Sequence, residues 1–283
     1  LVVAPVAVPI VFGALLLMMR HRMWLHGATA IIGTAAMFAA SCGLLAQVLS
    51  GGPRTMVMGG WHPPFGIAFT ADALGAAFAV TASFVALACA VFSLRDIATT
   101  GRRYGFYVFF MLLMAGVNGA FLTGDLFNLY VWFEVFVISS FGLLVLGSER
   151  EQIDGAVKYA ILNLTATTLF LVATALLYGA VGTLNMADLA RLMREGTNAP
   201  VYALAGLFLF GFAMKAAAFP LNFWLPASYH TPRIVVAALF GALLTKVGIY
   251  VLLRVLAMIM PVAQATFAGA IGWAAAATML LGA

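Results

Sequence analysis

Acidic and basic side chains are scarce in this sequence. Asp, Glu, Lys and Arg make up 8% of its 283 residues, whereas hydrophobic residues make up 65%. A typical soluble domain carries about 25% charged residues. The composition therefore excludes a soluble domain with an anchor and predicts an all-α polytopic membrane protein. The net charge of +5 comes largely from basic residues in short loops, where they act as orientation signals, so we expect no nucleic-acid partner.

Motifs of cofactor and metal chemistry are also missing. Cys42 and Cys89, the two cysteines, both fall in apolar runs and are interpreted as small buried hydrophobic residues. The sequence has no glycine-rich phosphate loop, metal-ligand spacing or nucleophile elbow. We therefore expect no cofactor and no metal, and an energy source that is either an ion gradient or a partner protein.

Long apolar runs predict about nine transmembrane helices, the last of them cut short. They cover residues 2–19, 24–49, 68–94, 104–123, 126–147, 155–181, 200–229, 232–260 and 263–283. The fourth and fifth are joined only by Thr-Gly-Asp, so those helices must be antiparallel neighbours. Residues 185–196 repeat apolar residues at helical spacing and predict a short amphipathic helix at the membrane surface.

Arginines are unevenly divided between the two sets of loops. If the N-terminus is outside, the cytoplasmic set holds Arg20, Arg22, Arg95, Arg102, Arg103, Arg150 and Arg233, and the outer set holds Arg54, Arg191, Arg194 and Arg254. Cytoplasmic loops carry the excess of basic residues, so the sequence predicts an outside N-terminus. The first run is not a signal peptide, because its positive charge follows the apolar stretch. The chain begins without Met and ends inside an apolar run, so we expect the natural protein to extend at both ends.

Glu134 lies in a run that is otherwise almost wholly apolar. At the helical rise it is about 13 Å from Asp125, near the middle of a hydrocarbon core about 30 Å thick. A carboxylate at that depth costs at least about 2.5–3.5 kcal/mol, so such a residue usually has a partner or a function. Glu134 is either half of a structural ion pair or part of a proton path.

Two lysines are similarly deep in apolar runs. Lys215 lies about 22 Å into its helix from Pro200, and Lys246 reaches a similar depth in the next one. A buried Glu–Lys pair has two states, one with both groups charged and one in which the proton has moved and both are neutral. We predict a switchable ion pair between Glu134 and Lys215, and a relay in which the charges of Lys215 and Lys246 alternate.

The other ionisable residues have stronger structural explanations. Lys158 lies near the end of its span, from where a lysine can reach the membrane surface. His230 is in a loop, where an imidazole suits proton exchange but is also an ordinary polar residue. We retain both as further members of the relay. Asp72, Asp125 and Asp154 sit at predicted helix starts and are interpreted as N-caps.

Two prolines interrupt the seventh span. Pro220 removes one backbone hydrogen bond and clashes with the carbonyl of Ala216, next to Lys215. With Pro226 it predicts a helix break between Lys215 and Pro226, with freed carbonyls that contact water or polar side chains. Transporters use broken helices as binding and gating elements, whereas the alternative is a kink that only shapes packing.

Three segments resemble a known family. "NLYVWFEVFVISSFGLLVLG", "GFAMKAAAFPLNFWLPASYHTP" and "ALLTKVGIYVLLR" resemble the antiporter-like membrane subunits shared by respiratory complex I and Mrp-type multisubunit Na+/H+ antiporters. "TGDLFNLYVWFE" and "FPLNFWLP" are most similar to the D-type subunits of the Mrp branch. Complex I relatives often carry histidine where this chain has Asn222 and Tyr229, so the path beside helix seven is expected to use His230 or water.

The resemblance implies an architecture and a function. It implies two inverted five-helix repeats, with residues 1–103 forming helices one to three, residues 104–260 the first repeat with a broken helix seven, and residues 261–283 the start of the second. It implies a proton-translocating subunit of a cation/proton antiporter in the cell membrane, which uses Glu134, Lys215 and Lys246. The expected partners are other membrane subunits, the lipid bilayer, protons and a monovalent cation, taken to be Na+.

Two other functions remain open at this point. The first is a redox-driven pump subunit of complex I or of a membrane-bound hydrogenase, which would have iron–sulfur or flavin subunits as neighbours. The second is a membrane scaffold whose buried charges only hold helices in register.

Overall fold

The computed structural model describes residues 1–282, which are almost entirely helical. The helices are α1 (Ala4–Met18), α2 (Met23–Gly51), α3 (Ala73–Asp96), α4 (Thr99–Arg103), α5 (Phe106–Leu122), α6 (Leu126–Leu144), α7 (Arg150–Val181), α8 (Met186–Glu195), α9 (Val201–Ala216), α10 (Trp224–Tyr229), α11 (Ile234–Leu252) and α12 (Pro261–Gly282). The predicted all-α polytopic class is confirmed in this form.

Helix length separates two groups of apolar helices. Within residues 1–282, six helical segments are long and apolar enough to cross a membrane, namely α2, α3, α6, α7, α12 and the continuous stretch Ile234–Ile259 that begins with α11. Three apolar helices are shorter: α1, α5 and α9. The predicted number of nine spans and the inverted repeat therefore stay predictions.

A β-hairpin precedes α3. Strand β1 (Arg54–Val57) pairs antiparallel with β2 (Ala68–Ala71), so that Arg54 lies opposite Ala71. The apolar run that begins at residue 68 therefore opens with strand β2, and the helix itself begins at Ala73, directly after the predicted N-cap Asp72. A short, mainly apolar run such as Ala-Phe-Thr-Ala fits a strand as well as a helix, so hydropathy alone could not separate the two.

Backbone hydrogen bonds join three connecting segments at one end of the molecule, which we call the hairpin end. The segments are the hairpin, the α5–α6 turn and the residues before α8. Gly124 N donates to Ala68 O at 2.8 Å, which joins the α5–α6 turn to the hairpin. Leu126 N donates to Leu184 O at 2.9 Å, which joins the same turn to the segment before α8. The amphipathic helix predicted at residues 185–196 is confirmed as α8, with Asn185 as its N-cap.

The opposite end, called the His230 end, carries a different set of loops. Val235 N donates to Asp96 Oδ2 at 3.1 Å, so the end of α3 caps the start of α11. Thr231 packs closely on Gly155 of α7. Five of the seven arginines that the sequence assigned to one side share this end with His230, namely Arg95, Arg102, Arg103, Arg150 and Arg233. The two-sided division of the loops agrees with the structure, while the membrane orientation stays a prediction.

Close helix packing depends on small residues. A Cβ at Gly116 of α5 would lie 2.7 Å from Phe136 N of α6, so only glycine allows these helices to approach as they do. Gly119 meets the Trp132 ring of α6 in the same way. The predicted antiparallel contact between the fourth and fifth apolar helices is confirmed.

A proline inside α1 is compensated from α5. Pro9 has no N–H, so it cannot donate to the carbonyl of Pro5 one turn earlier. Asn118, which is fully buried, donates its amide Nδ2–H to Pro5 O at 3.1 Å. A backbone acceptor that would otherwise be unpaired in the membrane core is thereby satisfied.

Two of the three aspartates predicted to be N-caps have that role in the structure. Asp72 and Asp125 are N-caps, since each side chain accepts a hydrogen bond from the backbone N–H three residues later, at 2.8 Å in both cases. Asp154 is not an N-cap, because α7 begins earlier, at Arg150, with Glu149 in the capping position. The first turn of this helix is polar, so hydropathy placed its start too late, at residue 155.

Candidate functional site

The discontinuous helix forms the centre of the site. α9 ends at Ala216, Ala217 adopts a left-handed conformation with φ of 53°, and helix resumes only at Trp224. The predicted break between Lys215 and Pro226 is confirmed. Trp224 Nε1 donates to the carbonyl of Met214 at 3.0 Å, so a polar side chain satisfies one carbonyl at the end of α9.

Lys215 is buried beside this break. Its side chain belongs to a residue that is 5% exposed, and within residues 1–282 its Nζ has no hydrogen-bond partner. The ammonium position is 5.5 Å from the centroid of the Phe133 ring and 5.9 Å from that of Phe136. A desolvated cation–π contact contributes about 2 kcal/mol, whereas burying an ion costs several kcal/mol. The rings alone therefore do not offset the cost of burying a charge at this position.

Glu134 follows Phe133, whose ring lies 5.5 Å from Lys215 Nζ. It lies on α6 next to Phe133 and is half-buried. Among the described residues the two side chains form no ion pair within 4.0 Å. Direct contact is therefore absent between Glu134 on α6 and Lys215 on α9, and the switchable pair predicted from the sequence stays a prediction.

Lys246 lies on the far side of α11 from Lys215. A Cβ at Gly248 would be 2.7 Å from Ala216 N, so the Gly248 face of α11 packs on the end of α9. Lys246 is two residues away, which turns it about 200° around the helix and moves it only about 3 Å along the axis. Its side chain is exposed, and Nζ donates to Gly241 O at 2.5 Å. The expected similar depth agrees with this geometry, but the lysines do not lie side by side.

The structure does not place the two other predicted relay residues, Lys158 and His230, beside Lys215. Lys158 is exposed and pairs with Asp154 one turn earlier, with 2.6 Å between Nζ and Oδ2. It borders an apolar pocket of about 450 Å³ with Trp224 and its neighbours. His230 is exposed, and its Nδ1 lies 2.7 Å from Pro226 O at the end of α10.

A cluster of hydroxyl and aromatic groups beside the break escaped the sequence analysis. Tyr159 and Tyr229 each place their ring centroid 5.6 Å from that of Trp224. Ser140 Oγ donates to the Tyr159 hydroxyl at 2.9 Å. The available signal was the presence of tyrosine and serine in apolar runs, which hydropathy treats as neutral.

A charged network at the hairpin end was also not predicted from the sequence. The Arg254 guanidinium donates to both carboxylate oxygens of Asp72, with 2.5 Å from Nη1 to Oδ2, and its Nε donates to the Tyr250 hydroxyl at 2.8 Å. Tyr250 in turn donates to Phe121 O at 2.6 Å. Desolvation acts to raise the pKa of Asp72, but hydrogen bonds from Arg254 and Gly75 outweigh it and hold that pKa below its ordinary value. Asp72 and Arg254 are 182 positions apart, so no local pattern could reveal the pair.

These features define a polytopic helical membrane protein with a buried lysine at a broken helix, which has no hydrogen-bond partner among residues 1–282. A profile of the family described as "NADH:quinone oxidoreductase/Mrp antiporter, TM" matches residues 123–283. The chain therefore belongs to the NADH:quinone oxidoreductase/Mrp antiporter family of membrane subunits.

Curated relatives place the similarity in the Mrp branch. The chain is 42% identical over 260 residues to the Na(+)/H(+) antiporter D-type subunit of Alkalihalophilus pseudofirmus, covering 92% of this chain and 53% of the relative. It is 40% identical over 263 residues to the probable K(+)/H(+) antiporter D-type subunit of Rhizobium meliloti, covering 90% of this chain and 48% of the relative. The chain thus spans about half the length of the curated relatives it matches.

Solved structures of membrane complexes also contain chains that are similar to this one. The Mrp complex from Dietzia sp. contains a chain that matches with a TM-score of 0.85 and 31% identity, covering 92% of this chain and 49% of that one. A chain of the archaeal membrane-bound sulfane sulfur reductase matches with a TM-score of 0.84 and 30% identity, covering 90% of this chain and 52% of that one.

Proposed function

We propose that this chain is part of the proton-translocating D-type subunit of a multisubunit Na+/H+ antiporter, a secondary transporter rather than an enzyme, in the cell membrane. Its partners are the other membrane subunits of that complex. The observation that carries the proposal is the buried Lys215 at the end of α9, whose Nζ has no hydrogen-bond partner within residues 1–282. Two relatives named as D-type subunits of cation/proton antiporters support it.

The Glu134 carboxylate controls the protonation of Lys215. When Glu134 is charged, its field favours the ammonium form of Lys215, which the Phe133 and Phe136 rings also support. When Glu134 becomes protonated, the buried amine favours its neutral form and releases a proton. Because no direct contact joins the two groups, this switch does not require breaking a hydrogen-bonded ion pair.

The charge on Lys246 interacts with the charge on Lys215 across the width of α11. A helix with its side chains is about 10 Å wide, and two unit charges at that distance repel by about 1.7 kcal/mol at an effective dielectric constant of 20. This repulsion energy exceeds the roughly 1.4 kcal/mol that changes a protonation equilibrium tenfold. The charges of the two lysines therefore alternate, even though α11 separates them.

The membrane arrangement follows from the loop arginines and the family. The N-terminus lies outside, so the His230 end faces the cytoplasm and the hairpin end faces outward. The nine apolar helices cross the membrane, residues 104–260 form the first inverted repeat, and residues 261–283 begin the second. Residues 1–103 supply the three helices that pack around the repeat.

Cation/proton exchange by the intact complex in inverted membrane vesicles tests the proposal. Lys215→Ala and Glu134→Ala should abolish Na+-dependent proton movement, and Glu134→Asp should retain part of it. Arg191→Ala is a matched control, because Arg191 is exposed on α8 and pairs only with Asp188 and Glu195 on the same helix. Glu134→Gln with normal exchange would instead support a scaffold whose charges only hold helices in register.

A redox-driven pump is the second candidate. The observation in its favour is the similarity to a chain of an archaeal respiratory membrane complex. Purification in mild detergent separates the two: peripheral iron–sulfur or flavin proteins that co-purify would support the redox-driven pump, and small membrane proteins alone would support the antiporter.

A further inference from the structure

The helix that carries Lys215 ends in a turn that is costly for its sequence. Ala217 adopts a left-handed conformation with φ of 53°, and its N–H donates to Met214 O at 3.2 Å. Ala218 N donates to Ala213 O at 2.9 Å, which completes a Schellman turn. Glycine usually occupies the left-handed position of this turn, because the Cβ of any other residue lies too close to the following carbonyl. Such a conformation persists where the surrounding structure holds it.

A hydroxyl group on α12 holds the segment that follows this turn. Phe219 N donates to Thr278 Oγ1 at 2.8 Å, and the same hydroxyl donates to Ala274 O at 2.6 Å. The Thr278 hydroxyl is therefore acceptor and donor at once, and both lengths lie in the normal range. Within residues 1–282, it makes the one hydrogen bond that links residues 217–223 to another helix.

This hydrogen bond replaces one that the helix break removes. In a continuous helix Phe219 N would donate to the carbonyl of Lys215, four residues earlier. An unsatisfied backbone N–H is costly at membrane depth, where no water takes the place of the lost partner. Beside the bond, an apolar cavity of about 960 Å³ is lined by residues of both α9 and α12, so close packing does not fix the segment there.

We infer that Thr278 is a positioning residue for Lys215, and that α12 fixes the place of this lysine through the backbone of Phe219. The inference rests on the proposed function, in which Lys215 gains and loses the proton. The amine of Lys215 has no hydrogen-bond partner within residues 1–282, so its position depends on the turn that ends α9. A displacement of α12 would therefore reach Lys215 through four residues of backbone.

Thr278→Val tests this role in the intact complex, because it keeps the shape of the side chain and removes the hydroxyl. A shift of about 1 Å in a reacting group can cost about 10²-fold in rate, so we expect the maximal exchange rate in vesicles to fall at least about tenfold. The apparent KM for the cation should stay unchanged. Deuterium uptake by residues 217–223, measured by mass spectrometry, should rise.

Two further variants show whether the hydroxyl itself is responsible. Thr278→Ser keeps the acceptor and should restore most of the rate and the low deuterium uptake. Thr266→Val is the matched control, because Thr266 lies on the same helix and its hydroxyl donates to Val262 O of that helix. We expect normal exchange and normal uptake in the control.

The outcomes separate this inference from the proposed function. If Lys215→Ala is inactive and Thr278→Val exchanges at the normal rate, the positioning role is wrong and the proposed function stands. If Lys215→Ala itself exchanges normally, the proposed function fails and the positioning role falls with it. If Thr278→Val does not assemble, Thr278→Ala decides in its place. A loss of rate in Thr278→Ser as large as that in Thr278→Val would also overturn the role of the hydroxyl.

Discussion

Lys215 and Lys246 lie at nearly the same level on opposite sides of α11. The contact that fixes this relationship is Gly248, whose missing side chain lets α11 approach the backbone of Ala216. The proposed coupling between the lysines would therefore act electrostatically across one helix, and it requires that each lysine can lose its charge.

Replacing Lys246 tests that coupling. Lys246→Ala should block cation/proton exchange while assembly with partner subunits is unchanged, because the side chain is exposed in this part of the protein. Lys246→Arg should block exchange equally, because a guanidinium stays charged at any working pH. Exchange at the normal rate in the Arg variant would make Lys246 a structural cation.

Lys215→Met should separate function from stability. The substitution keeps an unbranched side chain of similar length and removes a buried amine that has no hydrogen-bond partner within residues 1–282. Replacing buried ionisable groups by apolar ones is often neutral or stabilising by about 1–4 kcal/mol. We expect the detergent-solubilised complex to melt at the same or a higher temperature while vesicles lose exchange. A large fall in melting temperature would show that the ammonium is structurally required.

Asn118→Leu should destabilise the protein through a proline that it supports. The variant leaves the buried carbonyl of Pro5 without a donor, which costs about 1–3 kcal/mol. Pro9→Ala supplies a backbone N–H for the same carbonyl, so the double variant should regain most of the lost stability. Thermal melts of the two single variants and the double variant give the coupling directly, and purely additive losses would contradict this account.

The ion pair of Asp72 with Arg254 should make stability pH-dependent in acid. The folded pKa of Asp72 lies below its ordinary value of 3.8, so the contribution is fully present above that pH and is lost as pH falls through the folded pKa. Asp72→Asn should lower stability at neutral pH by about 3 kcal/mol, since it leaves a largely buried guanidinium without its counter-charge. The difference between variant and wild type in melts from pH 3 to 7 should narrow at the acid end. A constant difference would show that the charge of Asp72 is not the cause, since Asn also serves as an N-cap.

Hydropathy was sufficient to find the charged residues of the site. Glu134 and Lys215 stand out because an ionisable group in a long apolar run is costly, and Pro220 marks the break because its ring excludes a regular helix. These signals are local to a single segment, so the sequence contains them in full.

Other parts of the site depend on contacts between distant segments. The side of α11 on which Lys246 lies is fixed by the packing of Gly248 on α9, and nothing in the run around Lys246 encodes it. The Asp72–Arg254 pair and the hairpin depend on contacts that close only after folding. The hydroxyl cluster around Tyr229 was missed because serine and tyrosine barely alter the hydropathy of a helix.

The backbone hydrogen bonds around the α5–α6 turn limit how the site can move. Leu126 N donates to Leu184 O, and Met186 N donates to Gly124 O, so the start of α6 is held by its backbone on both sides. Glu134 lies about 12 Å along the helix from this anchored end. α6 therefore cannot slide along its axis to bring Glu134 and Lys215 together or apart. Any change in their separation has to come from side-chain rotation or from movement of the non-helical segment between Ala216 and Trp224.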